Sequence, residues 1–160
     1  MKRSQYIGMI ATVAALFAPV LPAQATSLVA TKINAQTISG TGWQTVSDTT
    51  INVNIPSSRL VIARFTAESA CYGSGSGNWC SVRIVARRGS TEIEFDPVVG
   101  TDYAFDSTDN GTETGNPWEG HAVNRSKRLS SGQYQILVQA RTTSNSTTIR
   151  LDDAHFEVEY

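Results

Sequence analysis

Five aromatic residues stand where recognition chemistry is expected. Trp43, Tyr72, Trp79, Tyr103 and Trp118 fall near predicted loops or strand ends, outside the runs that alternate cleanly. An exposed ring can stack on a sugar face, and Asp, Asn and Arg side chains beside it can hydrogen-bond hydroxyls. Tyr72, Trp79 and Trp118 form the candidate ligand-binding set. Packing is the opposing reading, because tryptophan is highly buried on average and a tryptophan beside a disulfide commonly packs on it.

A second constellation is acidic. Asp102, Asp106 and Asp109, with Glu113 beyond them, lie in or beside residues 106–120, a polar stretch whose large apolar residue is Trp118. Hard cations such as calcium take several oxygen ligands from a loop that can wrap them. Asp102, Asp106 and Asp109 are therefore the candidate metal ligands, and Ca2+ is the candidate cofactor. The spacing from Asp106 through Thr108 to Asn110-Gly111 starts like an EF-hand loop. It fails at the third position, and Pro117 stands where the bidentate Glu should be. Further along, alternation puts Asp152 and Asp153 on opposite faces of a strand, and Asp153 on the same face as His155. That pair could orient a general base, but no nucleophile is marked, and no catalytic residue is assigned.

The two cysteines, Cys71 and Cys80, bracket a loop carrying Gly73, Gly75 and Gly77. Two cysteines this close in an exported chain predict a disulfide. A zinc site would need further ligands, and His121 and His155 are far apart with no ligand-like spacing between them. The bridge either staples a loop the core cannot hold or presents Tyr72 and Trp79 rigidly.

Export is read from the first residues. Lys2-Arg3 precedes an apolar run from Tyr6 to Leu21, and Pro22-Ala23-Gln24-Ala25 fits a signal-peptidase site. Residues 1–25 are expected to be a removed signal peptide and residues 26–160 a single domain, secreted or periplasmic, from a bacterial host. Losing Lys2 and Arg3 takes the 13 Lys+Arg to 11 against 14 Asp+Glu, a net charge of −3. That balance argues against a nucleic-acid partner, which asks for a concentrated basic face. No later apolar run is long enough to span a bilayer.

The elements that must position these residues are strands. Residues 50–55 alternate with Ile51, Val53 and Ile55 on one face, whereas residues 60–67 are apolar on both faces and predict a central strand covered on both sides. Residues 81–88 and 92–95 form a predicted hairpin turning at Gly89, with glutamates facing arginines across it. Residues 133–141 and 154–160 alternate again. Eight to ten short strands without a helical period predict an all-β, antiparallel two-sheet β-sandwich stapled by one short-loop disulfide. The jelly roll is the first choice and the immunoglobulin-like sandwich the second.

Gly132-Gln133-Tyr134 opening residues 132–140, followed by residues 148–153 ending in Leu151-Asp152-Asp153, resembles the closing strands of small secreted jelly rolls. These include domains of the C1q and tumour-necrosis-factor type and several carbohydrate-binding modules. The resemblance implies the fold and transfers no catalytic residue. The function expected is that of a secreted binding module, recognising a glycan or cell-surface component through loops at one end of the sandwich. One alternative is a self-assembling, adhesive protein of C1q-like kind, built on an apolar patch of Leu60, Ile62 and Leu137. The other is a small polysaccharide-active hydrolase or lyase drawing on Asp102, Asp106, Asp153 and His155.

Overall fold

A computed structural model of the chain describes residues 25–74, 77–100, 103–108 and 118–160. The expected signal peptide, save Ala25, lies outside the described residues, as do Asp102, Asp109, Glu113 and Asn110-Gly111.

The described residues form ten strands in two antiparallel sheets. On one edge of the first sheet, β1 (Ser27–Lys32) and β2 (Gln36–Ser39) both pair with β10 (Thr147–Glu159). Beyond β10 come β4 (Arg59–Gly73) and β8 (Glu119–Leu129). The second sheet runs β3 (Gln44–Ile55), β9 (Gly132–Thr142), β5 (Trp79–Arg88), β6 (Thr91–Glu94), with β7 (Asp106–Ser107) paired to the start of β5. Counting β1 and β2 as one broken edge strand and setting β7 aside leaves eight strands. Their chain order is 1-8-3-6 in one sheet and 2-7-4-5 in the other. That is a jelly roll, as expected, and not the immunoglobulin-like order.

Alternation explains the core. Ile51, Val53 and Ile55 of β3, Val61, Ala63 and Phe65 of β4, and Tyr134, Ile136 and Val138 of β9 all point inward and are buried. Phe65 sits at the centre, its ring 6.5 Å from Phe156 and 5.9 Å from Phe105. The β5–β6 hairpin forms as expected, and its outer arginines find the glutamates. Arg83 reaches Glu92 at 3.0 Å and Glu94 at 3.3 Å, and Arg87 reaches Glu92 at 2.8 Å.

Three local expectations change. The central strand β4 is open on its outer face, where Leu60 is 47% exposed. Leu137 is buried on the outer face of the second sheet, so it shares no patch with Leu60 and Ile62 of the first. Finally, β10 carries a bulge between Asp152 and His155, and the neighbouring edge strand breaks into β1 and β2 around it. A bulge adds one residue to the alternation. Leu151 and Ala154 are the successive buried positions, so Asp152 and Asp153 both lie between inward residues and not on opposite faces. Asp153 takes a φ of +43°, which aspartate tolerates better than most residues. The Asp152 carboxylate accepts the Asp153 N–H at 3.0 Å.

Candidate functional site

Among the described residues, Tyr72, Trp79, Trp118, Asp106 and the two cysteines gather at one end of the sandwich. Cys71 closes the inward face of β4 in the first sheet, and Cys80 opens β5 in the second. The Cys71–Cys80 disulfide therefore ties the two sheets together, with both residues fully buried. Beside it, Thr143 holds Trp79. The Thr143 hydroxyl accepts the Trp79 N–H at 3.0 Å, and the Thr143 N–H donates to the Trp79 carbonyl at 3.1 Å. The chain then returns through Tyr103, whose carbonyl accepts the Ser81 hydroxyl at 2.6 Å, to β7 alongside Trp79 and Cys80.

All five aromatics lie at this end, though they are not equally available. Trp43 carries the guanidiniums of Arg83 and Arg141 at 4.6 and 4.4 Å from its ring centre, and Arg125 stacks on Tyr103 at 4.8 Å. Trp79 is half-buried, and its indole N–H is sealed from solvent without a hydrogen-bond partner among the described residues. By alternation from Cys80 its side chain belongs to the outer face of the second sheet. Trp118 is 38% exposed.

Trp118 precedes β8 by one residue. The β4–β8 register pairs Ser69 with Glu119, which places Trp118 in a row with Ala70, and Ala70 pairs on its other side with Arg150 of β10. Arg150 lies over the Trp118 ring at 4.9 Å, and Ala70 is 1% exposed although it faces outward. A small residue in the middle strand lets the two long side chains meet above it. Tyr72, two residues along β4 on the same face and paired with Thr148, extends this surface. Thus Tyr72 and Trp118 share one face, while Trp79 lies on the other sheet.

Of the acidic set, Asp106 is described. Its backbone pairs with Cys80 in the second sheet, yet its side chain turns to the first, where the buried Ser69 hydroxyl donates to Oδ2 at 2.6 Å. Two further residues, missed in the sequence, join it. His121 Nε2 stands 3.2 Å from Glu119 Oε2 and 3.9 Å from Asp106 Oδ1, with the imidazole packed 5.3 Å from the Phe105 ring. The three donor atoms lie within 4.8 Å of one another. The signal available in sequence was the Glu119-x-His121 spacing, which puts both side chains on one face of a strand. Calcium prefers an all-oxygen shell. One imidazole nitrogen with two carboxylates suits zinc or a related ion better; the 3.2 Å Nε2–Oε2 separation is itself that of a hydrogen bond. His155 is exposed on β10, opposite Thr66, and takes no part.

No family model matches this chain, and no curated protein matches it. Among solved structures it is similar to a carbohydrate-binding module from Cellvibrio mixtus lichenase 5A, solved in complex with cellotriose. The identity is 15% over 77% of this chain and 73% of that one, with a TM-score of 0.38. It is also similar to part of dimeric latent PorU from Porphyromonas gingivalis, at 11% identity over 84% of this chain and 12% of that one, with a TM-score of 0.47. At such values the jelly-roll assignment rests on this chain's own strand order, and the site on its own residues.

Proposed function

We propose that the protein is a secreted binding module that recognises a glycan through the disulfide end of its sandwich. The observation that carries this reading is the Trp118–Arg150 stack above Ala70, with Tyr72 on the same outer face. An indole with an exposed side presents an apolar, π-rich surface to the C–H face of a pyranose. Arg150 fixes the ring, so little conformational freedom is lost on binding. Glu68 and Asp152, paired with each other on the same two strands, supply acceptors for hydroxyls within the same neighbourhood. The buried disulfide is compatible with an extracellular protein.

A cation belongs to the same reading. Asp106, Glu119 and His121 would anchor the first residues of β8, next to Trp118, if a divalent ion joined them.

A glycan array probed with the purified protein tests the proposal. Binding that is lost in Trp118→Ala, with the melting temperature little changed, supports it. No binding to any glycan, or binding indifferent to Trp118, contradicts it.

A further inference from the structure

The end of the sandwich away from the disulfide carries three turns without a charge of their own. They are Pro56-Ser57-Ser58 between β3 and β4, Gly89-Ser90 between β5 and β6, and Ser130-Ser131 between β8 and β9. Ile55 pairs with Gly132 and Arg59 with Leu129, so the first and third turns lie side by side. Three arginines converge on Ser130-Ser131. Arg59 flanks it through Leu129, on the inward side of β4 with Val61. Arg88 approaches from the inward side of β5, in line with Tyr134 and Val53, and its Nη1 donates to the Ser131 carbonyl at 3.4 Å. Arg128 stands just before the turn on the outer face of β8, opposite Leu60.

Among the described residues none of the three pairs with a carboxylate, whereas Arg64, Arg83 and Arg87 each do. Lys127, their neighbour, is neutralised by Asp96 at 3.0 Å. Arg88 and Arg128 are exposed and Arg59 is half-buried. Arg88 is also held in place. Its guanidinium lies 5.7 Å from the centre of the Tyr134 ring, and the Tyr134 hydroxyl is itself tied to the Ser130 hydroxyl at 3.0 Å. Gly132 makes room for it, because a Cβ there would fall 2.9 Å from Nη1. Residues 26–160 sum to a net charge of −3, so three unpaired cations at one end reverse the sign locally. Such a patch draws polyanions. Guanidiniums grip sulfate oxygens as they grip those of phosphate or carboxylate, two N–H groups at a time. The serines of the turns add hydroxyls that both donate and accept. No turn carries a large apolar side chain to enter a bilayer, which favours a soluble polyanion over a lipid surface.

We propose that this end is a second binding surface, for a sulfated glycan, in which Arg59, Arg88 and Arg128 pair the sulfates and the turn serines take hydroxyls. It shares no residue with the Trp118 platform. Arg59 and Ala70 stand near opposite ends of β4, roughly 35 Å apart at the usual strand rise, so either site can fail without the other.

Calorimetric titration with a heparin oligosaccharide, and with the same oligosaccharide stripped of its sulfates, tests the surface. The sulfated form should bind at least about tenfold more tightly, with affinity falling as salt rises. Arg59→Gln, Arg88→Gln and Arg128→Gln should each weaken it about two- to fivefold, the worth of an exposed ion pair. The triple variant should lose at least about tenfold. Arg64→Gln removes the same charge from a residue already neutralised by Glu157 and Glu159, and should stay within about twofold of the wild type. Absence of binding, equal affinity for the two forms, or full affinity in the triple variant would overturn the proposal. So would binding lost in Arg150→Gln and kept in the triple variant, which would move the ligand to the platform. Arginine-dependent binding to phosphatidylserine vesicles without binding to the oligosaccharide would make the surface a lipid one and equally overturn it. The comparison of sulfated and desulfated ligand uses the unaltered protein, so it stands whatever the substitutions do to folding.

Discussion

Arg150 covers the Trp118 ring at 4.9 Å, and the alanine between them, Ala70, is closed off from solvent on a face that is otherwise open. The stack depends on that residue being small. Replacing Ala70 with leucine should wedge the two side chains apart and cost about 1–3 kcal/mol of stability, the usual range for overpacking. Trp118→Ala removes an interaction at a partly exposed site and should cost about 1 kcal/mol. Urea unfolding of both variants checks the difference, and it also shows that a loss of binding in Trp118→Ala is not a loss of fold.

The disulfide crosses between sheets at the end where the loops gather. Closing so short a loop is worth about 2–3 kcal/mol on chain-entropy grounds. Cys71→Ser should therefore lower the melting temperature by roughly 5–15 °C under oxidising conditions. Adding reductant to the wild-type protein should reproduce much of the shift.

Two carboxylates make stability depend on pH. The Arg87 guanidinium beside Glu92 holds its carboxyl below the ordinary value of 4.5, and the Ser27 hydroxyl, with Arg64 behind it, does the same for Glu157. A depressed folded pKa gives stability that is complete above the unfolded value and is lost as the pH falls through the folded one. The urea midpoint should thus hold level from neutrality to about pH 5 and fall below that. Glu92→Gln should flatten the acid limb while changing stability at pH 7 by less than about 1 kcal/mol, since the pair is largely solvated.

The Asp106–Glu119–His121 trio predicts a preference among metals. Zinc should raise the melting temperature more than calcium does, EDTA should reverse the rise, and His121→Ala should abolish it. A larger effect from calcium, or a zinc effect that persists in His121→Ala, would contradict the assignment of these ligands.

Much of the architecture was legible because alternation is a local signal. Ile51-x-Val53-x-Ile55 and Tyr134-x-Ile136-x-Val138 each declare a buried face without reference to the rest of the chain. The Arg83–Glu92 and Arg87–Glu92 pairs followed from the hairpin in the same way. The outer side of β4 misled, because apolar Leu60 and Ile62 cannot reveal whether another layer covers them. At β10 the bulge defeated strict alternation: it adds one residue, and nothing in Leu151-Asp152-Asp153-Ala154 marks the extra position. Of the candidate site, Tyr72, Trp118 and Asp106 were named from residue type, whereas Arg150, Glu119 and His121 were not, and the grouping was not legible. That Tyr72 and Trp118 share a face, that Trp79 lies on the other sheet, and that Asp106 meets His121 all depend on which strands pair across long stretches of chain. The Ala70 gap under Arg150 depends on the register of three strands at once.

The central claim concerns Trp118, and the most direct measurement is glycan-array binding of the wild-type protein and Trp118→Ala, each with calcium, with zinc and with EDTA. The account predicts binding by the wild type that is lost in Trp118→Ala and is weaker with EDTA than with zinc. Wild-type and Trp118→Ala proteins that bind the same glycans equally well would contradict it.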